Sequence, residues 1–250
     1  MVTSTELATY CQELLAVADF DDYCPNGLQV EGTRPVRRLV TGVTASLALI
    51  EAAIAAEADA MLVHHGWFWK GESPCLIGLK GRRARALITS GASLVAYHLP
   101  LDAHPELGNN RQLAERLGIE APEPTTAGHG LVWRGRLFAP VEGEAFAVRV
   151  AAALGRVPLH IPGREAPLAT IAWCSGAAQG FIAEAAALGV DAYLSGEISE
   201  QTTHLARELG LDYFAAGHHA TERLGIQALG EHLAARFGLD HRFLEIDNPA

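Results

Sequence analysis

Apolar positions recur at helical spacing over residues 4–18, where Leu7, Tyr10, Leu14, Leu15 and Val17 lie near one stripe and residues 3–5 supply a cap. Residues 19–32 break that pattern with Asp19, Asp21, Asp22, Pro25, Asn26 and Gly27, which predicts a loop. From residue 38 onward, short apolar runs alternate with helical patterns. Strands are predicted over 38–43, 60–63 and 93–97, and helices over 45–56, 82–90 and 109–117, the last closed by Gly118. Residues 122–130, rich in Pro, Thr and Gly, predict a loop and a boundary. A strand over 131–138 and a helix over 144–154, ended by Gly155, come next. Strands over 171–174, 192–194 and 213–216 then alternate with helices over 180–188 and 203–209, and Thr221 is read as the cap of a final helix reaching about residue 237. Such alternation predicts an α/β fold with largely parallel or mixed sheets flanked by helices.

The two halves echo each other. Residues 50–60 align with 182–192, so that Asp59-Ala60-Met61-Leu62 falls on Asp191-Ala192-Tyr193-Leu194. Residues 97–102 align with 217–222 in a shorter register, pairing His98 with His218 and Asp102 with Glu222. An extra loop over 67–78 in the first half accounts for the change. The repeat predicts two related α/β lobes, 1–125 and 126–250, with the C-terminal helix free to pack back on the first.

Composition narrows the function. The 250 residues are 49% hydrophobic and carry 19 Lys+Arg against 29 Asp+Glu, a net charge of −10. That balance argues against polymeric nucleic acid as a partner and against anionic membranes, since both need clustered cations. The longest basic runs are the pairs Arg37-Arg38 and Arg82-Arg83. No long uncharged apolar stretch spans a membrane, and the acidic N-terminus does not read as a signal peptide. Cys11, Cys24, Cys75 and Cys174 are scattered without a paired motif, which reads as reduced thiols in a cytoplasmic protein.

Histidines and carboxylates carry the candidate chemistry. His64-His65 ends a predicted buried strand, where ligands gather in open α/β sheets. Adjacent strand residues point to opposite faces, so both histidines serve one site only if the chain turns, and Gly66 permits that. His98 precedes Asp102 by four positions, as His218 precedes Glu222. Four extended residues span about 13 Å, too far for one ion, so the chain must curl after each histidine. Imidazole with carboxylate suits Zn, Fe, Mn, Co or Ni better than Mg or Ca. The set exceeds what one catalytic ion takes. Two ions bridged by a carboxylate would use it fully and form a hydrolytic device that makes water acidic and polarises a substrate oxygen.

Blander readings stand beside these. Glu222 also suits a helix N-terminus as a charge. Asn26 and Gln29 read as turn formers or substrate contacts. Trp67, Phe68 and Trp69 either stack a planar ring or pack the extra loop. Glu72 reads as a surface charge or a base, and Glu197, aligned with His65, as a group behind the ligands. His104, His129, His160, His204, His232 and His241 read as ordinary histidines. Neither a nucleophile elbow nor a phosphate-binding glycine loop is present.

The segment Phe20-Asp21-Asp22-Tyr23-Cys24-Pro25-Asn26-Gly27-Leu28-Gln29-Val30, then His64-His65, His98-x-x-Leu101-Asp102 and Gly217-His218-x-x-Thr221-Glu222, resembles the dinuclear-metal proteins called GTP cyclohydrolase 1 type 2 homologues, the NIF-three-like family. The resemblance covers essentially the whole chain and matches the short bacterial form. It implies two divalent metal ions held by His64, His65, Asp102, His218 and Glu222, with His98 a weaker candidate close by. His219 stands where that family is expected to carry an aromatic. The resemblance further implies two α/β lobes with the metal site in the cleft between them, and a toroidal homohexamer. The implied activity is hydrolysis of a nucleotide or related heterocycle by opening its imidazole ring. The competing class is a metal-binding, metal-handling or scaffold protein without turnover.

Overall fold

A computed structural model describes all residues from Met1 to Ala250. The chain forms two units, one of Met1–Leu101 with Ile226–Asp247 and one of Asp102–Gly225 with Asn248–Ala250. The expected division at residues 125 and 126 is therefore shifted. Residues 109–124 add a helix and a strand to the second unit, and 226–247 return to the first.

The first unit opens with α1 (Ser4–Leu14), whose Thr3 and Glu6 form a reciprocal capping box. It continues through β1 (Gly27–Val30), β2 (Arg38–Thr44), α2 (Leu47–Ala55), β3 (Ala60–His65), α3 (Gly78–Ser90) and β4 (Ser93–Ala96). The short α4 (Leu99–Ala103) follows at once. Its sheet has the order β1-β4-β3-β2-β11, where β11 is Asp240–Phe243. Strands β2, β3, β4 and β11 run parallel, and β1 is antiparallel to β4 at one edge. Ala60 to Val63 are all buried, as a strand covered on both faces requires. Val40, Leu49, Ile50, Met61, Leu87 and Leu94 contribute to the core around them.

The second unit contains α5 (Asn109–Leu117), β5 (Ile119–Pro124), β6 (Trp133–Val141), α6 (Gly143–Leu154) and β7 (Leu159–Ile161). It goes on with β8 (Leu168–Trp173), α7 (Ile182–Ala187), β9 (Ala192–Ser195), α8 (Glu200–Glu208) and β10 (Asp212–Ala215), and α9 (His218–Phe237) begins there. The sheet order is β5-β6-β8-β9-β10-β7. Here β8, β9 and β10 are parallel, and β7 is antiparallel to β10. Phe146, Trp173, Leu194 and Phe214 are among the buried residues on one side, and Ile182, Tyr193 and Tyr213 among a second cluster.

The repeat in the sequence is a repeat in topology. Reading β1-β4-β3-β2 against β7-β10-β9-β8, each sheet has an antiparallel edge strand followed by three parallel ones. Aligned aspartates do the same work in both. Asp59 Oδ2 accepts from the backbone N–H of Arg37 and Arg38 at 3.1 and 3.0 Å. Asp191 Oδ2 accepts from Ala169 and Thr170 at 2.9 and 2.8 Å. Each carboxylate thus ties the start of one strand to the start of its parallel neighbour.

Elsewhere the sequence reading misses edges. The loop predicted over 19–32 contains β1, and β5 occupies part of the loop predicted over 122–130. Strand β7, three residues long, is too short to show a pattern, and β11 is both short and polar. Helix α9 starts at His218, ahead of the expected cap, and Thr221 Oγ1 donates to Gly217 O at 2.9 Å from inside its first turn. No helix is long and apolar enough to cross a membrane.

Candidate metal centre

In the first unit, β3 delivers His64 and His65 at its carboxyl end, and His98 follows β4 on the same edge. His64 is fully buried and its Nδ1 lies 2.9 Å from Tyr97 O. His65 Nδ1 lies 3.2 Å from Thr44 Oγ1. His98 Nδ1 lies 2.9 Å from Asp22 Oδ1. Each imidazole is held through Nδ1, so Nε2 is the nitrogen each could offer to an ion. The three histidines offer ligand atoms within 4.8 Å of one another.

The loop before β1 builds the support for this cluster. Because β1 pairs antiparallel with β4, Gly27 opposite Ala96, the residues just before β1 meet those just after β4. Asp22 Oδ2 accepts from Leu99 N at 3.0 Å and Asn26 Nδ2 at 2.9 Å, and Asn26 Oδ1 accepts from His98 N at 2.7 Å. Burial of Asp22 favours its neutral form, but the bonds from His98 and Asn26 outweigh it and hold the carboxyl down at about 2. Gln29 secures the turn after His65, accepting from Trp67 N at 2.7 Å and donating to Trp67 O at 3.1 Å. Gly66 is required there, since a Cβ would overlap the Gln29 amide and approach Ala96 Cβ at 2.6 Å.

In the second unit, the carboxyl ends of β8, β9 and β10 are followed by Ser175, Glu197 and His218. His218 Nδ1 lies 2.7 Å from Glu197 Oε1, and its Nε2 lies 3.0 Å from Glu222 Oε2, one turn along α9. Burial opposes a charged imidazole, yet the two carboxylates, Glu222 foremost, raise His218 to about 9. Asp102 and Glu222 are both buried, with carboxylate oxygens within 4.8 Å of each other. Asp102 Oδ1 accepts from Asn109 Nδ2 and Ser175 Oγ, both at 2.8 Å. Gly176 has φ +67, and a Cβ there would overlap the Glu222 carboxylate.

His64, His65 and His98 are thus gathered in one unit, and Asp102, Glu197, His218 and Glu222 in the other. The chain curls into α4 after His98 and into α9 from His218 onward, the geometry that a four-residue spacing demands. Asn26 and Gln29 brace the histidines. Glu72 pairs with Lys80 at 3.1 Å. Trp67 is buried with its Nε1 donating to Ala45 O at 3.1 Å, while the Trp69 ring stands edge-on to His98 at 5.1 Å. The sequence reading missed Asp22, Asn109 and Ser175 as supports. Asp22 lay within the motif that carried the resemblance, but nothing local marked the other two.

Residues 2–249 match the family described as Duf34/NIF3 (NGG1p interacting factor 3). The chain belongs to the DUF34/NIF3 family. A DUF34/NIF3 relative from Allochromatium vinosum, named GTP cyclohydrolase 1 type 2 homolog, is 62% identical over 250 residues, covering 100% of this chain and 98% of its own. Among solved structures, protein ybgI, described as of unknown function, is 50% identical with a TM-score of 0.95, covering 100% of both chains. TTHA1606 from Thermus thermophilus is 36% identical with a TM-score of 0.89 over 98% of both.

Proposed function

We infer that this DUF34/NIF3 protein is a dinuclear divalent-metal hydrolase acting on a nucleotide or related heterocycle, with His64, His65, Asp102, His218 and Glu222 as the ligands of two ions. The observation that carries the reading is the way the imidazoles are held. All four site histidines are engaged through Nδ1, three by a backbone carbonyl or carboxylate and one by a hydroxyl. That support fixes the tautomer and ring orientation a metal ligand needs, and catalytic metal sites show it routinely. The donor set, imidazole with carboxylate, fits Zn, Fe, Mn, Co or Ni. Ions held there supply Lewis acidity and make water a competent nucleophile near neutral pH.

The chain's own residues set the rest. Asp22 and Glu197 orient His98 and His218. Asn109 and Ser175 both donate to Oδ1 of Asp102 and so fix the orientation of its carboxylate. Glu222, a carboxylate with two oxygens, is the group suited to bridge two ions. The name borne by the A. vinosum relative supports a guanine nucleotide as one substrate to try, and a homohexamer in the cytoplasm is the setting proposed for it.

The deciding experiment is metal analysis of protein purified without chelator, joined to turnover of a panel of nucleotides and phosphoesters. About two ions per chain are expected. Glu222→Ala should lower both together, whereas His64→Ala should mainly empty one. His98→Ala should cost about 10–100-fold in affinity as a supporting group. Full occupancy in a variant lacking all five ligands would overturn the assignment. Full metal loading with no turnover of any substrate would move the protein to metal handling.

A further inference from the structure

The loop between β3 and α3, with the first turns of α3, lines a half-open cavity of about 190 Å3 in the first unit, with Gly66, Trp67, Trp69, Glu72, Lys80 and Arg83 among its walls. It shares a wall with the histidine cluster. Gly66 directly follows His65, and the Trp69 ring lies 5.8 Å from the His65 ring and 5.1 Å from that of His98.

Two cations stand one helical turn apart in this cavity, and they are differently engaged. Lys80 Nζ is 3.1 Å from Glu72 Oε2 and donates to Ser73 O at 2.8 Å. It also lies 5.5 Å over the Phe68 ring. Arg83 has no such counterpart, and its Nε is buried with no hydrogen-bond partner. Arg83 is partly exposed as a residue, but a buried Nε–H without an acceptor is costly, and turning the guanidinium toward an oxyanion in the cavity would relieve that cost. With Glu72 taken up by Lys80, Arg83 is the uncompensated cation of the cavity in a chain of net charge −10.

We propose that this cavity binds the phosphoryl group of a phosphorylated small molecule, with Arg83 and Lys80 as its cationic partners. A carboxylate has two oxygens, which a single guanidinium fork satisfies. A phosphoryl group has three, enough for the fork of Arg83 and the point charge of Lys80 together. Glu72 is the internal counter-ion that neutralises Lys80 while the cavity is empty, and an incoming phosphate competes with it. Joined to the metallohydrolase reading, on which this last step rests, a substrate anchored here extends its organic part along Trp69 toward His65 and His98. The substrate class is then a phosphate ester with a planar body.

The test uses full-length protein stripped of metal, titrated with inorganic phosphate and followed by 31P NMR and calorimetry at fixed ionic strength, with acetate as the comparison anion. Saturable phosphate binding, tighter than acetate, is expected in the wild type. Arg83→Gln should weaken it about tenfold or more, the loss of a charged hydrogen bond. Lys80→Met should weaken it as well, and Glu72→Gln should tighten it by removing the competing carboxylate. Thermal melts confirm that each variant is folded, and the paired loss and gain cannot both come from misfolding. Absence of saturable binding in the wild type overturns the proposal, as does binding indifferent to Arg83→Gln and Glu72→Gln, or acetate bound as tightly as phosphate. With no metal present, failure here leaves the metal reading standing. Failure of that reading leaves the phosphate result standing, because none of the three substituted residues is a proposed ligand.

Discussion

At the scale of single residues, the site is shaped by groups that touch the histidines from behind. Asp22 receives five donors, from Tyr23 N, Cys24 Sγ, Asn26, His98 and Leu99 N, on a side chain only 3% exposed. Asp22→Ala strands the buried donors among them, His98, Asn26 and Leu99 N foremost, and urea unfolding should report a loss of about 3 kcal/mol. Asp22→Asn keeps the volume and some of the bonds, so it should cost less stability. A comparable stability loss in both variants would show that the charge itself carries the effect. His218 offers a second measurement. Glu222 and Glu197 keep it protonated to about pH 9 in the metal-free protein. An ion taking its Nε2 must displace that proton. Metal titrations at neutral pH should therefore release a proton per bound His218, read as a binding enthalpy that changes with the ionisation enthalpy of the buffer. The release should vanish above about pH 9 and shrink at neutral pH in Glu197→Gln, which leaves the proposed ligands in place.

At the scale of elements, two devices position the site. One is the turn that ends β3. Gly66 leaves no room for a Cβ against Gln29 and Ala96, so Gly66→Ala should destabilise the protein by about 1–3 kcal/mol, the usual cost of overpacking. Its effect on metal uptake should exceed that of Gly189→Ala, where a Cβ meets open space but must adopt φ +72. The other device is the aspartate that ties parallel strand starts. Asp59 and Asp191 hold equivalent backbone N–H pairs in the two sheets. Asp59→Ala and Asp191→Ala should therefore each cost about 1–3 kcal/mol in thermal or urea unfolding, through the same two unpaired amides. A near-zero effect at either position would break the equivalence of the repeats.

At the scale of the whole molecule, acid should unfold the chain through its held-down carboxylates. Asp22 lies at about 2 in the folded state, and Asp191 is lowered by the Ala169 and Thr170 amides, the Thr170 hydroxyl and Arg164 despite its burial. For a depressed carboxylate the stabilisation is complete above the unfolded value near 4, and is lost as pH falls through the folded value. Unfolding free energy should then fall between about pH 4 and pH 2, with a shallower slope when both residues are changed to Asn. Sedimentation should report a closed assembly of six chains of 26.6 kDa. A stable monomer at micromolar concentration would contradict it. The net charge of −10 predicts no specific binding to DNA or RNA at physiological salt.

Much of this architecture was legible in the residues themselves. The parallel strands β2, β3, β4, β9 and β10 announce themselves because burial on both faces demands continuous apolar runs, and α5 and α6 because Gly118 and Gly155 adopt the left-handed cap that ends them. The repeat was readable because the Asp-Ala strand start recurs for the same backbone reason in each half. The histidines were readable because residues at the carboxyl ends of parallel strands gather on one edge whatever the details of packing. What tertiary structure alone decided were the edges and the supports. β1, β7 and β11 owe their existence to a neighbouring strand's unpaired amides and carbonyls, which no local pattern encodes. Asn109 and Ser175 reach Asp102 from α5 and from the end of β8, and Asp22 reaches His98 from a loop 76 positions away in sequence. A hydrogen bond needs direction as well as partner type, and direction is set only when the backbone on both sides has folded.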